Sequence, residues 1–147
     1  DAKAQLVLAM CFHKGDGVEQ DFRQASVWYR KSAEQGNSEA QYDLAYLYTK
    51  GAGVDQDEQQ ALAWYRKSAE QGHPGAQATI GVFYDAGQGV KQDIIEAYAW
   101  FSVASANGFA KAIPFRDSAA EKLTQPQLVA AQKLAGEYFG KYQPVSR

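Results

Sequence analysis

The sequence predicts an all-α protein, a solenoid of antiparallel helix pairs, and three observations carry that expectation. Glycine pairs recur at one spacing: Gly15-Asp16-Gly17, Gly51-Ala52-Gly53 and Gly87-Gln88-Gly89, each 36 residues from the next. The three tryptophans share one phase of that period, as Trp28-Tyr29, Trp64-Tyr65 and Trp100-Phe101. Within each period the apolar residues follow helical spacing and not the alternation of a strand. A fixed period of this length marks one supersecondary unit stacked on copies of itself.

The first helix of a unit is clearest in the second copy, where Ala40, Leu44, Leu47 and Tyr48 lie at i, i+4, i+7 and i+8. Gly51 and Gly53 close it, since glycine enters the left-handed conformation that helix C-termini favour at little steric cost. The second helix opens on Asp21, Asp57 or Asp93, followed three residues on by Gln24, Gln60 or Glu96, a capping-box pattern. Three aspartates at one phase fit helix caps better than a catalytic acid, which is needed once. Ala25, Trp28 and Ser32, with their equivalents, share one face of this helix, so the large aromatics are expected in the core.

On this phase the chain divides into repeat one at 4–39, repeat two at 40–75, repeat three at 76–111 and a degenerate capping unit at 112–147. The last stretch lacks both the glycine pair and the Trp-Tyr pair. Thr124, Pro126 and Gln127 announce a terminal helix over about 126–139, with Leu128, Ala131, Leu134, Ala135 and Tyr138 inward and Gln132, Lys133 and Glu137 outward. End repeats need such a polar outer face. Leu6 and Met10 open the chain without a polar helix ahead of them, which raises the expectation of repeats upstream of Asp1; a cleaved signal peptide is the other reading.

Composition narrows the function classes. Hydrophobic residues make up 46% and charged residues 22%, with a formal net charge of −2, so no basic footprint for nucleic acid is present. No apolar run approaches the ~20 residues that span a bilayer, and no membrane insertion is expected. Cys11 is the single cysteine and aligns with Leu47 and Phe83, an apolar role. His13 and His73 lie far apart with no compact ligand spacing, so no metal and no cofactor is expected. Arg30-Lys31 and Arg66-Lys67 read as a solvated face. The glycine pairs lack the third glycine and preceding strand of a nucleotide fold.

The pattern Ala-x-x-x-Leu-Ala-x-x-Tyr-x-x-Gly-x-Gly-Val-x-x-Asp-x-x-x-Ala-x-x-Trp-Tyr-x-x-Ser-Ala-x-x-Gly, from Ala40 to Gly72, closely resembles the Sel1-like repeat, a relative of the tetratricopeptide repeat. The resemblance implies a right-handed α/α superhelix, bacterial proteins among its members, and a concave face of first helices that binds a partner protein or an extended peptide. Aligned to that pattern, the inward positions are Leu6, Met10 and His13 in repeat one, Tyr42, Tyr46 and Thr49 in repeat two, and Ala78, Val82 and Asp85 in repeat three. They vary from unit to unit, as recognition residues do. Tyrosine is enriched at interfaces, but Tyr42 and Tyr46 equally suit a seam between neighbouring helices, and both readings stand.

The leading expectation is therefore a non-catalytic adaptor or scaffold. An inhibitor or immunity-type protein that blocks a toxin or enzyme is a second reading of the resemblance. A β-lactam-hydrolysing enzyme is a third, disfavoured because Ser-x-x-Lys is absent and Ser105-Ala106-Asn107 matches the second motif only faintly. Bacterial periplasm, cell envelope and cytoplasm are equally compatible with the residues, and the oligomeric state is open.

Overall fold

The computed structural model describes residues 1–144. Among them are eight α-helices, a 3-10 turn at Ala110–Ala112 and no strand: α1 (Ala2–Lys14), α2 (Phe22–Glu34), α3 (Ser38–Lys50), α4 (Glu58–Glu70), α5 (Pro74–Ala86), α6 (Ile94–Ala106), α7 (Ile113–Glu121) and α8 (Gln125–Lys141). The chain forms two compact units, Asp1–Ser68 and Ala69–Arg147.

Each first helix ends as the glycines predict. Gly15, Gly51 and Gly87 adopt φ of 78°, 65° and 68°, and donate to Cys11 O, Leu47 O and Phe83 O. The aspartates cap as expected: Asp21 Oδ1 accepts from the backbone of Arg23 and Gln24, Asp57 Oδ1 from Gln59 and Gln60, and Asp93 Oδ1 from Glu96. Such a cap stabilises a helix by about 0.5–2 kcal/mol. The reciprocal half of the box is made by Gln127 on Thr124, whereas the Glu96 carboxylate is turned to Tyr138, whose hydroxyl reaches it at 2.8 and 3.0 Å.

A second repeated device has no counterpart in the expected pattern. Gln20, Gln56 and Gln92 each donate Nε2 to the carbonyl of His13, Thr49 or Asp85, at 2.8, 3.0 and 2.8 Å. The last carbonyls of a helix have no intrahelical partner, and these glutamines supply one. Buried serines pin the start of the first helices: Ser32 Oγ donates to Ala2 O at 2.6 Å, and Ser68 Oγ to Ser38 O at 2.7 Å.

In the first unit Ala9, Ala25, Tyr29, Leu44, Leu47, Trp64 and Tyr65 are buried. In the second, Ala78, Ala97, Phe101, Ala104, Ala112 and Ala119 form a core cluster flanked by Tyr84, Ile94, Tyr98 and Phe109. The tryptophans are not equivalent in burial: Trp100 is 1% and Trp64 7% exposed, while Trp28 is half-buried. Lys31 Nζ lies 4.1 Å from the Trp28 ring centroid and Lys67 Nζ 4.5 Å from that of Trp64, and Arg30 donates to the Tyr48 hydroxyl. These cations cover aromatic rings instead of simply facing water. The terminal helix begins one residue before and ends two after its expected limits, with Ala131 fully buried and Gln132, Lys133 and Glu137 exposed.

Candidate functional site

In α3 the side chains Ala40, Gln41, Leu44, Ala45 and Leu47 are buried, which leaves Tyr42, Tyr46 and Thr49 on the other side of the helix. Tyr46 is 41% exposed, whereas Tyr42 and Thr49 are half-buried. The two tyrosines differ in surroundings. Tyr42 meets Tyr65 of α4 edge-on, with centroids 5.5 Å apart, so its ring fills space between two helices. Tyr46 stacks on His13 at 6.5 Å and 19°, and Lys50 Nζ lies 5.7 Å from its centroid.

His13 comes from the last turn of α1 and joins a polar chain. Its Nδ1 is 3.0 Å from the Tyr29 hydroxyl, and its ring meets Phe22 and Tyr29 edge-on at 5.4 and 5.9 Å. Tyr29 is also hydrogen-bonded to Asp43 of α3. A tyrosine hydroxyl donates once, and a carboxylate only accepts, so Tyr29 gives its proton to Asp43 and receives one from His13 Nδ1–H. The order His13, Tyr29, Asp43 ties α1, α2 and α3 together behind the exposed Tyr46 ring.

Burial first, then the charge and hydrogen bond of Asp43, hold Tyr29 well above the ordinary phenol range. Tyr65 is pushed up to about 12, chiefly by burial. Both remain neutral at any physiological pH. His13 is displaced the other way, by burial and then by the charge on Lys14. With the folded value lowered, the unfolded chain binds the proton first, so stability present above the ordinary imidazole value is lost as pH falls through the lowered one. Between about pH 7.5 and about pH 5.5 the wild-type thermal midpoint is expected to drop further than that of His13→Gln; equal drops would show that His13 does not titrate differently on folding.

Leu6 and Met10 of α1 are half-buried, and Val7 beside them is 59% exposed. In the second unit the aligned positions diverge. Ala78 is 8% exposed and belongs to the core cluster with Phe101, which removes it from any recognition surface: a small side chain at this phase is drawn into the helix pair. Val82 is 40% exposed, and Asp85 is held by Lys122 Nζ at 2.8 Å. The structure thus gathers His13, Tyr42, Tyr46 and Thr49 about one region of the first unit.

Sequence reasoning missed Tyr29, Asp43 and Tyr65 as parts of this region. Tyr29 and Tyr65 align with Phe101 and read as core, yet the hydroxyl each carries is the difference. Asp43 aligns with Val7 and Thr79, a variability that marks it as clearly as its neighbours. His73 is the N-cap of α5, its Nδ1 accepting from Ala76 N at 3.1 Å. No group of three or more His, Cys, Asp or Glu suited to a metal occurs among the described residues, and no helix there is long and apolar enough to cross a membrane.

The Sel1 repeat family matches residues 2–37, 38–73 and 74–109, each copy beginning two residues before the repeat boundaries expected at 4, 40 and 76. A protective antigen present in uropathogenic Escherichia coli strains, displaying an SLR fold, is 34% identical at a TM-score of 0.71; the match covers 96% of this chain and 38% of that one. A Sel1 repeat protein from Oxalobacter formigenes is 37% identical at a TM-score of 0.75, over 80% of this chain and 89% of that one. Among curated proteins none matches. Three consecutive repeats, helix pairs closed by left-handed glycines and opened by capping aspartates, and solved neighbours with the same architecture make one conclusion plain: the chain belongs to the Sel1-repeat family, an all-α helical-repeat fold.

Proposed function

We propose that this chain captures a partner protein or extended peptide on the face of its first unit that carries Tyr46, with His13, Tyr42 and Thr49 around it. Sel1-repeat chains are generally non-catalytic protein-interaction modules, and that class sets the frame. One observation carries the choice of face: an exposed tyrosine stacked on a histidine that a buried tyrosine and a carboxylate hold in place. A large ring presented on a fixed support loses little entropy when a partner covers it, which is how a few aromatic residues come to dominate an interface. An inhibitor of a toxin or enzyme would use the same face.

The two tyrosines separate recognition from packing. Tyr46→Ser is expected to weaken partner retention at least about tenfold, as an interface hot spot does, with the thermal midpoint nearly unchanged. Tyr42→Ser, which strips a ring from Tyr65, is expected to lower the midpoint by several degrees as well. Binding per folded molecule that survives Tyr46→Ser intact would refute the proposal.

A further inference from the structure

Directly after α8, Tyr142–Pro144 is held by a device that no repeat requires. The carbonyl of Tyr142 accepts two hydrogen bonds, from Gln77 Nε2 of α5 at 2.9 Å and from Asn107 Nδ2 after α6 at 3.0 Å. The donors are aligned on each other. Asn107 Nδ2 also reaches Gln77 Oε1 at 3.0 Å, and Gln77 Nε2 reaches Ala69 O at 3.1 Å, with Gln77 itself fully buried. The Tyr142 ring lies flat on Trp100, centroids 5.2 Å apart at 13°. Past it, the backbone of Gln143 and Pro144 runs across Gly72 so closely that a Cβ there would lie 2.1 Å from Pro144 N and 2.2 Å from Gln143 C.

These contacts read a peptide by its general features. Two side-chain amides, buried Gln77 and half-buried Asn107, address one backbone carbonyl, a flat indole takes one aromatic ring, and a glycine admits a close extended main chain with a proline, which needs no donor partner. They contact only three residues, Tyr142 to Pro144, which lie outside any helix, so releasing them breaks no helical hydrogen bond. A covalently attached segment enjoys an effective concentration of order millimolar, so it excludes a free competitor of equal intrinsic affinity.

We infer that Gln77, Asn107, Gly72 and Trp100 form a recognition cradle for an extended segment bearing an aromatic residue followed two positions later by proline, and that Tyr142–Pro144 occupies it in cis. The cradle is independent of the Tyr46 face. A partner segment of that chemistry enters when Tyr142–Pro144 leaves, and that cis segment sets the threshold for its binding.

The test uses the chain of residues 1–147 and a fluorescein-labelled peptide with the sequence of residues 141–147, read by anisotropy. Tyr142→Ala loosens the cis segment, and the peptide is expected to bind this variant at least about tenfold more tightly than wild type. Adding Gly72→Ala fills the cradle and is expected to abolish that binding; adding Asn107→Ala instead removes one donor without touching the backbone and is expected to weaken it about fivefold. Circular dichroism confirms that each variant is folded, and Asn107→Ala decides should Gly72→Ala unfold. Equal peptide affinity for wild type and Tyr142→Ala, or binding indifferent to the cradle substitutions, overturns the inference.

Discussion

Alanine at Gly53 is expected to destabilise the first unit by about 3 kcal/mol or more, and alanine at Gly17 by only about 1–2 kcal/mol. The two glycines hold the same repeat position and similar φ, 72° and 74°. For both, the left-handed conformation costs an L-residue about 1–2 kcal/mol. They part over space. A Cβ at Gly17 meets nothing within 4 Å, whereas at Gly53 it would lie 2.1 Å from Phe22 O and 2.7 Å from Arg23 N, the backbone that opens α2. Backbone at a helix start has little freedom to retreat. At roughly 3 °C per kcal/mol for a chain of this size, the midpoint of Gly53→Ala should fall by about 9 °C or more, and similar losses at both glycines would mean that the loop does not pack against α2.

Trp100→Ala is expected to cost about 3–5 kcal/mol, in the range of large aromatic deletions from a core. Trp100 is 1% exposed, with Tyr138 at 4.8 Å and Tyr142 at 5.2 Å, so the deletion also loosens α8 and the segment after it. Its Nε1 is buried and has no hydrogen-bond partner among the described residues. An unmatched donor costs about 1–3 kcal/mol, so Trp100→Phe, which keeps a ring and deletes the donor, should lose less than half as much as alanine. Half-buried Trp28 should tolerate alanine better than Trp100 does. Denaturant titration orders the three variants, and a loss below about 1 kcal/mol for Trp100→Ala would contradict the packing described.

Much of this architecture was legible in the sequence because it rests on backbone requirements that recur every 36 residues. A left-handed turn demands glycine wherever it occurs, and an N-cap demands a short acceptor, so Gly51 and Asp57 announce their roles without reference to the rest of the fold. The terminal helix was readable for the same reason, from Thr124, Pro126 and Gln127. Helix α7 was not expected: Ala112 caps it without a side-chain hydrogen bond, which leaves Pro114 in its first turn as a start signal without a capping residue beside it.

The polar side chains were the hardest to place. Gln20, Gln56 and Gln92 recur in register, yet glutamine suits a solvated loop as well as a capped carbonyl, and only the fold shows them bonded to the residues at 13, 49 and 85. The side chains at those three positions vary from repeat to repeat, while their backbone carbonyls are held alike in all three repeats. Ala78 failed as a surface residue because helical phase places a residue on a face but does not say how closely the neighbouring helix approaches. The contacts of Tyr142 with Gln77 and Asn107 span 65 and 35 residues and leave no local trace.

A partner-binding face on the first unit is best tested by site-specific photocrosslinking in the native host. A photoreactive phenylalanine analogue is placed at Tyr46 in one variant and at Val27 of α2 in another; the two positions are comparably exposed, at 41% and 46%. Crosslinking of one discrete partner from position 46 and none from position 27 is the predicted result. The same partner crosslinked equally from both positions, or from position 27 alone, would contradict it.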